Sequence, residues 1–256
     1  MASALPKITL YTSDTSVYGH RVSILLLHLR VPYEKVLIPL DRPRERWYLE
    51  INPRGLVPAL QVEDPTSGQK HAVVESSLIC EFLLDLAPGW GDEYAARAQD
   101  VLPRGHSLAV ATQRYQRRLF VGVHFEGIRS ASRPLLGQAT EEAQQAFLAA
   151  ARGLESVCPP PGRYFGDSDT VTFVEVLTGP FFVRLEAHLR WELVRDARAI
   201  HDRLRAEAPR FYAWLKFISA DPKIRADAWN EEVQHRYLAE RIAKAQVAAQ
   251  EERSVP

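Results

Sequence analysis

Three short stretches of this chain put polar groups where a helix or strand is about to begin, which is where a protein presents free backbone donors to a ligand. The first is Thr12-Ser13-Asp14-Thr15-Ser16, a run of small hydroxyl and acidic residues suited to turns and caps, with helical spacing beyond it. The second is Asn52-Pro53-Arg54-Gly55-Leu56-Val57-Pro58, dense in turn formers and ending on a proline that opens a β-prone run. The third is Glu75-Ser76, with Ser76 the expected cap of a helix. A helix N-terminus offers unpaired N–H groups and a positive dipole end, suited to a carboxylate, and an acidic neighbour can take an ammonium. The same residues also read without any ligand: Ser16 and Ser76 as plain caps, Glu75 as a solvated side chain, Pro58 as an ordinary loop-to-strand proline.

Other chemistries leave no trace. The chain has no GxSxG elbow, Walker loop, HExxH or GxGxxG, and its eight histidines lack metal-ligand spacing. His20 and His124 read as polar surface or pocket-lining residues. Cys80 and Cys158 lie far apart with no CxxC pair, so no disulfide framework or cysteine metal site is expected, and a reducing, cytoplasmic setting is. Lys and Arg total 32 against 32 Asp and Glu, a balance that argues against a nucleic-acid partner. Ile24-Leu25-Leu26-Leu27 is the longest aliphatic run, too short to span a bilayer, and the N-terminus has no leader pattern, so no membrane association is expected.

The elements that must position these residues follow from periodicity. Lys7–Tyr11 reads as a strand, His20–Leu29 as a helix ending at Val31-Pro32, Tyr33–Ile38 as a strand and Arg44–Ile51 as a short helix. Pro58–Val62 and His71–Val74 form a hairpin around Asp64–Gly68, and a helix follows to about Leu86. The order is βαβαββα. Prolines and glycines between Pro88 and Gly105 place a linker over 89–105, after a first domain of 1–88. Beyond it, over 106–256, β signals vanish, and Ala143, Phe147, Ala150, Leu154 and Val157 behind Thr140 show the helical spacing of an all-α domain. Tyr115, Phe120 and Phe125 fit its core, or else a pocket wall. Ala239–Glu252 suits a surface helix.

Over about residues 5–230 the chain resembles the cytosolic glutathione transferase superfamily. Asn52-Pro53-Arg54-Gly55-Leu56-Val57-Pro58-Ala59-Leu60 is similar to the family's N-P-x-x-x-V-P-x-L signature with its cis proline. Val74-Glu75-Ser76-Ser77 resembles its acidic-then-hydroxyl element. Ser16-Val17-Tyr18-Gly19-His20-Arg21-Val22 resembles the [S/C]-P-[F/Y]-x-x-R-[V/T] pattern of tau, zeta and omega-like classes, departing at Val17, where proline is usual. Thr170-Val171-Thr172-Phe173-Val174-Glu175 resembles the buried S/T-x-x-D capping motif of the sixth helix, with Glu for Asp, and is read as a folding element. The resemblance implies a thioredoxin-like α/β domain followed by an all-α helical bundle, a homodimer, and glutathione as co-substrate with no metal. It implies that Val57 pairs with the cysteinyl amide of glutathione beside Pro58, that Glu75 and Ser76 hold the γ-glutamyl group, and that Ser16 is the catalytic residue. Ser13 and Thr15 are competing hydroxyls. Arg44 matches a position used for the glycyl carboxylate, with Arg42, Arg46 and Arg54 as competitors.

The chemistry this implies is thiolate formation. An ordinary thiol titrates near pH 8.5, and lowering that by two units takes roughly 2.7 kcal/mol of preferential thiolate stabilisation. A hydrogen bond to a charged group contributes about 1.5 to 3 kcal/mol and a helix N-terminus about 0.3 to 1 kcal/mol, so a hydroxyl ahead of a helix suffices. The expected reaction adds the thiolate to a small hydrophobic electrophile. The alternatives are a zeta-type isomerase or lyase and a non-catalytic glutathione-fold binding module. Thioltransferase chemistry is disfavoured, because a mixed disulfide needs cysteine where Ser16 stands, and Cys80 sits among Leu78, Ile79, Phe82 and Leu83 as a packed residue.

Overall fold

The computed structural model describes residues 4–137 and 139–254 of the chain. Strand alternation decides the first layer. Ile8 and Leu10 of β1 (Lys7–Thr12) join Val22, Leu25 and Leu83 in the main core, while Tyr11 joins Ile38, Tyr48 and Ala59 in a smaller cluster. Helices α1 (Val17–Leu29) and α3 (Ser76–Leu86) therefore cover one face, and α2 (Arg46–Ile51) covers the other. Strand β1 pairs in parallel with β2 (Glu34–Leu37) and antiparallel with β3 (Ala59–Glu63), which pairs antiparallel with β4 (Lys70–Val74). The sheet order is β2-β1-β3-β4. The β3–β4 hairpin turns on Asp64, whose carboxylate accepts from the Thr66 and Ser67 N–H groups, and on Gly68 at φ 68°.

Three helix starts differ from the periodicity reading, each for a local reason, and the first is α2, which begins at Arg46 and leaves Arg44 ahead of it, bonded to the carbonyls of Pro39, Arg42 and Gly55. Helix α1 begins at Val17, ahead of His20, because Ser16 caps it through the Gly19 N–H at 3.0 Å. Ser76 is not a cap. It is the first residue of α3, and the cap position belongs to Glu75 at φ 70°, whose side chain makes no cap bond. The linker stretch 89–105 is largely helical: Asp92–Val101 forms α4, with the glycines and prolines confined to its two ends and Ala98 and Val101 buried.

The second domain contains α5 (Leu108–Leu119), a π-helical turn at Phe120–His124, α6 (Phe125–Gly137), α7 (Glu141–Gly153), α8 (Phe173–Arg190), α9 (Ala197–Glu207), α10 (Pro209–Ala220), α11 (Pro222–Arg225) and α12 (Glu231–Ser254). The expected surface helix over Ala239–Glu252 lies in α12, and its side chains beyond Lys244 fall outside the described residues. Helix α8 is buried along nearly its whole length and is started by the expected capping box of Thr172 and Glu175. Gly179 lets α11 come close, since a Cβ there would lie 2.8 Å from Ile224 Cγ2. Phe120 is a buried core residue, Phe125 is buried in the core and also borders a cavity, and Tyr115 is 62% exposed and belongs to neither. The result is a thioredoxin-like α/β domain followed by an all-helical domain. Among the described residues no helix is long and apolar enough to cross a membrane.

Candidate functional site

Where the two domains meet, a cavity of about 460 Å³ opens onto Ser16 and its neighbours on one side and onto α6, α8 and α12 on the other. Ser16 is 9% exposed on this wall. Its oxygen accepts the Gly19 N–H, and its own N–H is held by Ser13 O at 2.9 Å. A hydroxyl has one proton to give besides its two acceptor positions, so capping α1 leaves that proton free for the cavity. Cap and donor are thus compatible roles for one residue. Gly19 makes the geometry possible, since a Cβ there would lie 1.9 Å from Thr12 Oγ1 at the end of β1. Ser13 and Thr15 bond each other at 3.3 Å, and only Thr15 of the two reaches the cavity.

Of the remaining expected residues, Arg44 and Val57 line the cavity, and Pro58, Glu75 and Ser76 do not. The Val57–Pro58 peptide bond is cis. The Val57 N–H and C=O make no hydrogen bond among the described residues, which leaves both to a ligand lying alongside. Arg44 precedes α2 and donates to three backbone carbonyls: Nε to Gly55 at 2.9 Å, and Nη1 to Pro39 and to Arg42 at 2.6 Å each. Glu75 pairs with Arg54 on the surface, while Arg21 Nη1 donates to the Ser76 hydroxyl at 3.2 Å.

Arg21 is the residue that sequence reasoning passed over. It stands in the Ser16–Val22 motif, is buried, and ties the domains together through Nε to Leu177 O on α8 at 2.7 Å. Its guanidinium lies 5.2 Å from the Tyr18 ring and 4.9 Å from that of Phe181, and burial lowers its pKa to about 10. Gln234 of α12 was missed too: fully buried, it donates to Asp14 O at 2.6 Å and so anchors the loop that carries Ser16. The signal available was a glutamine four residues before Leu238 on the apolar stripe of an otherwise polar helix.

His20 is neither surface nor pocket wall. It is fully buried between the domains, with Nδ1 3.2 Å from Arg184 Nη1, and burial first and Arg184 second lower its pKa to about 3. His188, whose Nδ1 lies 2.5 Å from Arg184 O, is lowered to about 4, mainly by burial. His124 is partly buried and stays outside the cavity. Burial pushes the Cys80 thiol up to about 12 and raises that of Cys158 as well, so neither is poised for disulfide exchange. Among the described residues no group of three His, Cys, Asp or Glu is arranged to hold a metal.

Comparison with known proteins agrees with this geometry. Residues 10–91 match the family model described as the glutathione S-transferase N-terminal domain. Glutathione S-transferase aclG of Aspergillus oryzae is 32% identical over 73 residues, 28% of this chain and 33% of that one, so the chain spans only a third of that relative. Pyrimidodiazepine synthase of Drosophila melanogaster is 27% identical across 91% of this chain and 86% of its own. Among solved structures, glutathione transferase Omega 2S of Trametes versicolor, in complex with 2,4-dihydroxybenzophenone, is 25% identical over 91% of this chain and 98% of that one, with a TM-score of 0.72.

Proposed function

Given that the chain is a member of the cytosolic glutathione transferase superfamily, we propose that it forms the glutathione thiolate at Ser16 and adds it to an electrophile held in the interdomain cavity. The observation that carries this reading is the Ser16 hydroxyl: its oxygen is engaged by Gly19, and its proton is free on the cavity wall beside the N-terminus of α1. In the proposed pose the unpaired Val57 N–H and C=O take the cysteinyl amide in the manner of one more strand beside Pro58. The N-terminus of α3 at Ser76 takes the γ-glutamyl carboxylate, Glu75 the ammonium, and Arg44 the glycyl carboxylate through Nη2, the one nitrogen of its fork not held by a carbonyl or the chain. Sulfur then bonds to the electrophilic carbon, and the leaving group departs with its electron pair or a proton closes the addition.

The decisive experiment is the ultraviolet absorbance of bound thiolate against pH. Ser16→Ala should keep glutathione affinity, because the other contacts remain, yet raise the bound thiol's pKa by roughly one to two units, as expected for losing about 1.5 to 3 kcal/mol of charged hydrogen bonding. Conjugation near neutral pH should fall about tenfold and recover in part at higher pH. An unchanged titration would transfer the role to Thr15 or Tyr18, and no bound thiolate in the parent would leave a non-catalytic binding module.

We propose a homodimer as well. Leu78 on α3, Leu108 and Tyr115 on α5, and Val123 in the π turn are exposed apolar residues on elements joined by the Arg118–Glu81 ion pair at 2.9 Å. Sedimentation velocity should return twice the 29.0 kDa chain mass, and Leu78→Glu should shift it toward the monomer; a parent that sediments as a monomer would remove the proposal.

A further inference from the structure

The second-domain wall of the cavity is built from single helix faces. On α6, Phe125, Ile128, Arg129, Ser132, Arg133 and Leu136 follow the three- and four-residue spacing of one stripe, and all of them line the cavity. Helices α8 and α12 add Phe181, Leu185 and Leu238 together with Arg184 and Arg241. Including Arg44, five arginines and no aspartate or glutamate line this space among the described residues. In a chain whose formal charges cancel, that asymmetry is local and specific.

How each arginine is occupied separates scaffold from site. Arg44 is spent largely on backbone carbonyls, and Arg129 is paired bidentately with Glu126. Arg133 and Arg241 make no hydrogen bond or ion pair among the described residues, and they face the cavity from the packed pair α6 and α12. Arg184 is 7% exposed; among the described residues it hydrogen-bonds only His20 and Pro180 O and lies 5.5 Å from the Trp229 ring, its Nε and Nη2 are buried without a bond, and no carboxylate lies within ion-pairing distance. A buried guanidinium without a counter-charge is costly, and an anion placed nearby lowers that cost.

We infer that the acceptor is an amphipathic anion: an apolar or aromatic body seated against Phe125, Ile128, Phe181 and Leu185, with a carboxylate or similar group taken by Arg133 and Arg241 and stabilised by the charge of the largely buried Arg184 in the α8 wall. Arginine suits this role, because its planar fork matches a carboxylate bidentately. The inference rests on the cavity being the acceptor site of the proposed transferase, and it narrows an expected hydrophobic electrophile to a charged one.

The test is binding of two unreactive probes, naphthalene-2-acetate and naphthalene-2-acetamide, to the full chain by calorimetry at saturating glutathione. The acid should bind about fivefold more tightly than the amide, from two solvent-facing charged contacts, with the preference shrinking as salt is added. Arg133→Gln with Arg241→Gln should bring the ratio close to one, whereas Arg236→Gln, on α12 but off the cavity, should not. Equal affinities for the two probes, or a preference that survives the double substitution, would overturn the inference. So would a preference seen only without glutathione, which would assign the arginines to that ligand's own carboxylates. Thiolate absorbance at Ser16 needs no acceptor, so its absence beside an intact acid preference would reject the transferase and keep the anion site.

Discussion

Glu175→Ala should lower the unfolding free energy by about 3 kcal/mol or more, the loss expected when several buried donors are left without an acceptor. Glu175 is fully buried at the start of α8. One carboxylate oxygen accepts the Phe165 N–H at 2.8 Å; the other accepts the Thr172 N–H at 3.0 Å and the Thr172 hydroxyl at 2.6 Å. Burial raises its pKa, opposed by these donors. Alanine strands each donor where water does not reach and adds a cavity, and each unpaired buried donor costs about 1 to 3 kcal/mol. Against total stabilities of about 5 to 15 kcal/mol, that is a large fraction. The check is the urea midpoint at unchanged slope, with Glu175→Gln falling between the parent and alanine because it keeps one acceptor oxygen. A midpoint within about 0.5 kcal/mol of the parent, the range of an indifferent surface change, would show that the carboxylate is not what starts this helix.

That box was legible in the sequence because all its parts lie within six residues, from Thr170 to Glu175, and obey a local spacing rule. The βαβαββα order was legible for the same reason: strand alternation, turn residues and helical stripes are short-range signals. Helix starts were read less well, since the cap residue alone does not say which backbone N–H it takes. Ser16 reaches forward to Gly19 and moves the start of α1 to Val17, while Ser76 is drawn off by Arg21 and leaves the cap position to Glu75. Asp92–Val101 was obscured by flanking glycines and prolines that mark its ends and not its interior.

The site divides along the same line. Of the six residues suggested by motifs, Ser16, Arg44 and Val57 line the cavity, and Pro58, Glu75 and Ser76 do not. The cavity's other wall was not anticipated, because it depends on how helices more than a hundred residues away in the chain pack against the first domain. Arg21 illustrates this: its partners are Ser76 and Leu177, 55 and 156 positions along the chain. Gln234 reaches Asp14 across 220 positions. No spacing rule connects such pairs. Even so, the arginine-bearing face of α6 was present in the sequence as an ordinary helical stripe, and only the partner it faces gives it meaning.

The same long-range packing sets the protein's response to acid. His20 and His188 are held neutral by burial, at about 3 and about 4, with Arg184 adding to the depression of both, Lys35 to that of His20 and Arg241 to that of His188. His28 and His201 are lowered as well, again chiefly by burial. A group whose pKa is depressed on folding binds fewer protons folded than unfolded, so its stabilisation is complete above about pH 6.5 and drains away as pH falls. Each of the two deeply buried imidazoles then removes up to about 1.4 kcal/mol per pH unit, so the pair should cost on the order of 5 kcal/mol between pH 6.5 and 4.5. Glu175 works the other way above the ordinary carboxylate range, since burial raises its pKa and makes the folded state the better proton binder, but it is one group against several. Surface carboxylates with lowered pKa, Asp64 and Glu231, lose their contributions only at lower pH. Urea midpoints measured from pH 7 to 4.5 should therefore fall steeply before the carboxylates titrate. His20→Gln should flatten that slope by about 1.4 kcal/mol per pH unit even if it lowers the midpoint at pH 7. A parent whose stability is level over this range, or a His20→Gln slope equal to the parent's, would mean that this imidazole is protonated inside the fold beside Arg184.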